Sequence, residues 1–183
     1  SNIYQASSIA PPIVDEDGNA YIVSEFQYTE ESYCLVIVPY SIWENGGNPT
    51  LISLGRSQPV ASPTIIDNRY VAVSCNDGLK IVDISAKSIV FSMIGAINGT
   101  RPVVGLGNIV YAAVGDSIIA IDSNFNQIWK TKVTGGVGKY IALDEEQGLF
   151  AVNAKGDLYK YNLITGGETL ICDLQITSGI LIG

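Results

Sequence analysis

Hydrophobic residues along this chain fall in short runs of about five to eight, rich in Val, Ile and Tyr, with Gly, Asn and Asp between them. Runs of that length bounded by turn-forming residues predict strands, because a helix needs a longer stretch with apolar positions every three to four residues. The runs also recur as a set. PPIVDEDGNAYIVS from Pro11 returns as SPTIIDNRYVAVS from Ser62, as RPVVGLGNIVYAAV from Arg101 and as KYIALDEEQGLFAVN from Lys139. Anchored on Pro12, Pro63, Pro102, Tyr140 and Gly179, the steps are 51, 39, 38 and 39 residues.

A unit of ~40 residues made of short strands predicts a β-propeller blade, since no single unit buries both of its own faces. The expected fold is therefore all-β, a propeller of four-stranded antiparallel blades, about four of them with a partial fifth. Residues 1–183 form one propeller domain or a segment of a larger ring. The predicted strands are 9–14, 20–26, 33–40 and 49–54 in the first blade, then 61–66, 69–75, 79–84 and 88–94 in the second. The third has 101–104, 109–114, 117–122 and 127–133; the fourth has 139–143, 148–153, 158–163 and 169–174. A partial blade follows at 176–183, apolar at Ile180, Leu181 and Ile182 as an inner strand would be. The corners DEDGN at Asp15, GLGN at Gly105, CNDG at Cys75 and AKGD at Ala154 supply residues that accept positive φ or bond their own backbone. Between the second and third strands of the first blade stands instead the longer EFQYTEESY, which accounts for most of its 51-residue step.

Composition narrows the class. Hydrophobic residues make up 47% and charged residues 15%, enough apolar surface for a packed core and too little charge for a disordered chain. A net charge of −8 argues against nucleic acid or an anionic membrane as partner, both of which select a basic face. No apolar run nears the ~20 residues that span a bilayer, so no membrane insertion is expected of this segment. No charged, apolar leader opens the chain, and any targeting signal is expected to have been removed or left out. Histidine is absent, which removes the Ser-His-Asp and Cys-His nucleophile pairs and the commonest base near neutral pH. The three cysteines, Cys34, Cys75 and Cys172, have no metal-ligand spacing and read as buried strand thiols, their pairing left open by an odd count.

At the third corner of each repeat the sequence becomes more specific. DISAKSIVF from Asp83, AIDSNFNQIWK from Ala120 and NLITGGETL from Asn162 resemble the A-x-D-x-x-T-G-K-x-x-W pattern of repeats in pyrroloquinoline-quinone-dependent dehydrogenases and their non-enzymatic relatives. The resemblance covers almost the whole chain. It implies that a corner Asp caps its turn and that a Trp packs between blades, roles that fall to Asp83 and Asp122 and to Trp129. Asn162 stands in for the third Asp, and Phe91 and Leu170 stand in Trp positions. Quinone enzymes of this kind hold the cofactor on the propeller axis with calcium, a catalytic Asp and commonly a vicinal disulfide. With no adjacent cysteine pair, this chain resembles the branch without cofactor, which uses the propeller as a platform for other proteins, and no cofactor is expected.

Several groups are candidates for binding. Asp15, Asp17 and Asp144 stand at equivalent first corners, where carboxylates serve either a hard cation or a solvated turn. Arg56, Arg101 and Lys139 precede or open inner strands and are expected to converge on one face as an anion pocket. Asn98 heads the sequon Asn98-Gly99-Thr100 in the linker between the second and third blades. Phe26, Tyr28 and Tyr33, in the inserted loop from Glu25 to Tyr33, are candidate partner anchors, because aromatics bury large area with few rotors. TGGVGK from Thr134 lacks the spacing of a phosphate loop and reads as a linker. Together these features predict a non-catalytic scaffold for protein-protein interaction or assembly, located at the cell surface, in the periplasm or outside the cell. Its partner is another protein or a second copy joined through the terminal strands. The competing class is an enzyme, either a quinone-dependent oxidoreductase or a lyase-like propeller.

Overall fold

The computed structural model describes residues 6–26 and 33–173. These form four antiparallel sheets, each a meander of consecutive strands. The first blade holds β1 (Ala6–Ser8), β2 (Ile13–Val14), β3 (Ala20–Phe26), β4 (Tyr33–Val38) and β5 (Thr50–Gly55). Blade two holds β6 (Thr64–Ile66), β7 (Tyr70–Cys75), β8 (Gly78–Asp83) and β9 (Ser88–Ile94). In blade three come β10 (Val103–Gly105), β11 (Ile109–Val114), β12 (Ser117–Ile121) and β13 (Gln127–Lys132). Blade four follows with β14 (Val137–Asp144), β15 (Gly148–Asn153), β16 (Leu158–Tyr161) and β17 (Glu168–Cys172).

Blade one departs from the expected pattern twice. Its inner strand is split: β1 and β2 both pair with β3, Ser8 opposite Ser24 and Ile13 opposite Tyr21, so the register shifts between them. The cause lies in Pro11 and Pro12, which have no amide hydrogen to donate to the ladder, while Ile9 N–H still reaches Val23 O at 3.0 Å. The second departure is a helix, α1 (Tyr40–Asn45), where a strand was expected to run to residue 40. Pro39, fixed at φ −58, ends β4 and starts the turn, and Gly46 at φ 70 stops it by donating its amide to Ile42 O.

Three cores hold the blades together, one in each gap between neighbours. Tyr21, Val23, Leu35, Ile37, Ile52 and Leu54 of blade one meet Val71, Val73, Cys75 and Val82 of blade two. The opposite face of blade two, with Ala72, Leu79 and Ile81, meets Val110, Ala112, Val114, Ile119 and Ile121. Tyr111, Ile118, Ala120 and Trp129 then meet Leu149, Ala151, Tyr159 and Tyr161 of blade four. Successive residues of a strand thus enter different cores, which is why β11 and β12 read as nearly unbroken apolar runs. Cys75 lies within the first core, and burial pushes its thiol up to about 12. The hairpin that joins β7 to β8 needs Gly78, at φ 152, because a Cβ there would run into the Met93 carbonyl oxygen.

The third corners are tied by carboxylate or amide oxygens. Asp83 Oδ1 accepts from Ser85 Oγ at 2.6 Å and Ala86 N at 2.9 Å, while Oδ2 accepts from Arg69 Nε and Nη2 at 3.2 and 3.0 Å. Asp122 accepts from Asn124 N and Asn126 N, and Asn162 makes the same cap with Ile164 N and Thr165 N at 2.9 Å. The cap needs only one acceptor oxygen, so the change from Asp to Asn keeps it. Trp129 crosses to blade four, its Nε1 donating to Leu163 O at 2.9 Å, over a site where a Cβ on Gly166 would sit 2.6 Å from the indole. Phe91 meets Phe125 of the next corner at 5.9 Å between ring centroids. In blade four the equivalent position is Thr169 rather than Leu170: Thr169 pairs with Lys160, as Trp129 pairs with Ala120 and Phe91 with Ile81.

Two tests follow from this packing. Leu79, fully buried between blades two and three, should lose about 2–5 kcal/mol of stability on change to Ala. Ile94, 93% exposed on the outer strand of the same blade, should lose under about 0.5 kcal/mol by the same change, both read by equilibrium denaturation. The second test concerns pH. The hydrogen bonds from Ser85 and Ala86, with Arg69 beside them, lower the Asp83 carboxyl from its ordinary 3.8 to about 2. A group with a depressed folded pKa stabilises the fold above its unfolded pKa and loses that contribution as pH falls through the folded value. Asp83→Asn should therefore melt below the unmodified chain at pH 7, and the gap in Tm should close between about pH 4 and pH 2.

Candidate functional site: a cationic pocket at the inner rim

Blade stacking sets the inner rim. β10 lies against both β6 and β14, so the first strand of each blade faces the common axis, whereas β5 touches β9 at the periphery. Threonines lace neighbouring blades at this rim. Thr64 Oγ1 donates to Pro102 O at 2.7 Å, and Thr100 Oγ1 donates to Gly138 O at 3.0 Å. Both threonines are buried, and each bond joins one repeat to the next.

The segments that enter the inner strands converge on a cavity of about 390 Å³, lined by residues 9–11, 60–62, Gly99, Arg101 and 139–141, one contribution from every blade. Its walls are largely apolar, with Ile9, Pro11, Val60, Ala61 and Ile141, and its charges are Arg101 and Lys139. No lining residue is acidic, although the chain carries 18 acidic residues against 10 basic ones. Arg101 Nε donates to Thr64 Oγ1 at 3.1 Å. Burial depresses the pKa of its guanidinium. Among the described residues no carboxylate lies within ion-pair distance of Arg101 or Lys139, since the ion pairs there join Arg69 to Asp83, Lys80 to Asp77 and Lys132 to Asp116.

The structure brings together some of the residues singled out in the sequence and separates others. Arg101 and Lys139 share the pocket, while Arg56 follows the outer strand β5, exposed and away from it. Its place in the chain, just before an inner strand, hides the long connection through 57–63 that leads inward. Asp15 uses both carboxylate oxygens within its own turn, accepting from Asn19 N and Nδ2 at 2.8 Å and from Tyr21 Oη at 2.9 Å. Asp144 Oδ1 accepts from the amides of Glu146 and Gln147, and Asp17 is exposed. No group of three or more His, Cys, Asp and Glu gathers among the described residues.

Asn98 is exposed beside a second cavity that also contains Lys139 and Tyr140, whereas the Thr100 hydroxyl of its sequon is turned inward to Gly138. Tyr28 lies outside the described residues, and Phe26 ends β3. Tyr33 opens β4 and packs in part against the core between blades one and two. The segment 176–183, expected to begin a further blade, also lies outside the described residues. Sequence reading missed the rim threonines, whose signal is only a hydroxyl among apolar neighbours at the start of an inner strand. It also missed Tyr140, 39% exposed at the mouth of the pocket.

Among the described residues no helix is long and apolar enough to cross a membrane. No family model matches the chain, and no curated protein matches it either. Solved structures do. BamB from Moraxella catarrhalis aligns with a TM-score of 0.56 over 88% of this chain and 60% of its own, at 15% identity. Hydrazine synthase from Kuenenia stuttgartiensis aligns with a TM-score of 0.61 over 90% of this chain and 49% of its own, at 13% identity. This chain thus spans about half to three fifths of the length of those it resembles. At such identities the likeness carries the fold alone, and that fold is the propeller: the chain is a run of propeller blades.

Proposed function

We propose that this chain is part of a larger propeller that serves, outside the cytoplasm, as a non-catalytic platform for a protein partner. The observation that carries the reading is the inner-rim pocket. It draws one segment from each of four blades and has apolar walls with two cations and no acidic lining residue. Such a surface is built to hold a ligand rather than to move protons.

The repeat corners support the same reading, since they resemble those of propellers that act as platforms. The terminal faces support membership of a larger ring. Val14 and Leu51 on the free side of blade one are 60% and 43% exposed, and Ile171 on the free side of blade four is 49% exposed. In the three gaps between blades the equivalent faces are closed. A fifth blade beginning at 176–183, or a second copy joined through the terminal strands, would cover one of them. Phe26, Tyr28 and Tyr33 supply a second contact point for the partner.

The enzyme class is separated by titrating the chain with pyrroloquinoline quinone and calcium while following cofactor absorbance. No saturable change is expected, and stoichiometric binding would overturn the proposal. A photocrosslinking residue at Tyr140 or Tyr33, introduced in the producing cell, should yield a discrete protein adduct; no adduct at either position would equally count against it.

A further inference from the structure

We infer that the inner-rim pocket is a carboxylate site, taking a single carboxylate carried on an apolar stem between Arg101 and Lys139. This deepens the platform reading by naming the chemistry that a partner would present there.

The arrangement around Arg101 is directional. Thr64 gives its proton to Pro102 O and accepts from Arg101 Nε, so the guanidinium is held by one edge from a buried hydroxyl. That edge uses only one of the five N–H groups of the fork. Among the described residues the terminal nitrogens of Arg101 have no hydrogen-bond acceptor, and no carboxylate neutralises the charge. The chain has 18 acidic residues, yet among the described residues none is set against this guanidinium. Instead the guanidinium, anchored through Nε and exposed to the pocket, keeps its terminal N–H groups free for an incoming anion.

The remaining lining fixes the class of ligand. Two terminal guanidinium nitrogens present parallel N–H groups to the two oxygens of a planar carboxylate. Lys139 adds a second, flexible charge at the mouth, and Tyr140 a hydroxyl. Behind them Ile9, Val60 and Ile141 offer hydrocarbon to a stem, not further donors to a multiply charged group. A volume of about 390 Å³ admits one or two amino-acid residues and not a bulky polyanion. A C-terminal carboxylate and an acidic side chain share this chemistry.

The experiment uses small molecules on the whole chain, so that its failure would leave the platform reading to the crosslinking test. Amide chemical shifts are followed during titration with N-acetyl-leucine, which carries a terminal carboxylate, and with the α-amide of N-acetyl-glutamate, which carries only a side-chain one. N-acetyl-leucine amide is the neutral control and inorganic phosphate the competing anion. The expected result is saturable shifts around 99–101 and 139–141 with at least one carboxylate, the tighter of the two identifying the source, and none with the neutral amide. Arg101→Gln should weaken that binding at least tenfold and Lys139→Gln severalfold; the latter, at an exposed position, decides the matter if loss of the Thr64 contact unfolds the former. Absent binding of both carboxylates, equal binding of the amide, tighter binding of phosphate, or unchanged affinity in every folded variant would overturn the assignment.

Discussion

Everything in this chain depends on burial of sheet faces against one another. A four-stranded meander has two faces, and in blades two and three both are covered by neighbours. This demands that adjacent residues of the central strands serve different cores: Val71, Val73 and Cys75 turn to blade one while Ala72 turns to blade three. Likewise Val110, Ala112 and Val114 turn to blade two and Tyr111 to blade four. Each fully buried aliphatic side chain contributes roughly 1.5–3 kcal/mol, so the stack, not any isolated blade, is the unit of stability.

The inner rim is a consequence of that stack. Once the faces are packed, the first strands lie side by side, and hydroxyls that would otherwise be orphaned in the gaps reach carbonyls of the next repeat, Thr64 to Pro102 and Thr100 to Gly138. Arg101 is then anchored from Thr64, and the linkers of four blades close around it. At the outer edge the same stacking is locked differently, by Trp129 lying over Gly166 and donating to Leu163 O. The pocket thus inherits its geometry from the cores, against which its lining residues Ile9, Ala10, Val60 and Ile141 also pack.

How much of this could be read from the sequence follows from where local and tertiary causes coincide. The strands of blades two and three were legible because their corners carry their own chemistry, Gly78 for a positive φ and Asp83 and Asp122 for caps, so that strand limits are fixed locally. Blade one was less so. The split of its inner strand reflects two prolines in a ladder whose register is set only by pairing with β3, and α1 follows from Pro39 and Gly46 around a six-residue segment with weak periodicity. The Trp position of blade four falls one residue earlier than the repeat predicts because blade two bulges between Ile81 and Val82, before the equivalent pair, whereas blade four bulges only beyond it, between Leu158 and Tyr159, a tertiary difference with no sequence mark. At the site, Arg101 and Lys139 were legible as openers of inner strands, but Arg56 was not excluded, since its distance from the rim depends on the path of the connection after β5.

The central claim is that stability resides in the gaps between blades, and amide hydrogen exchange under native conditions tests it most directly. A blade covered on both sides opens only when two cores separate, whereas a terminal blade opens when one does. The account predicts the slowest exchange in β7, β8, β11 and β12 and measurably faster exchange in the equivalent central strands β3, β4, β15 and β16. Equal protection across all four blades, or the greatest protection in blade one or blade four, would contradict it.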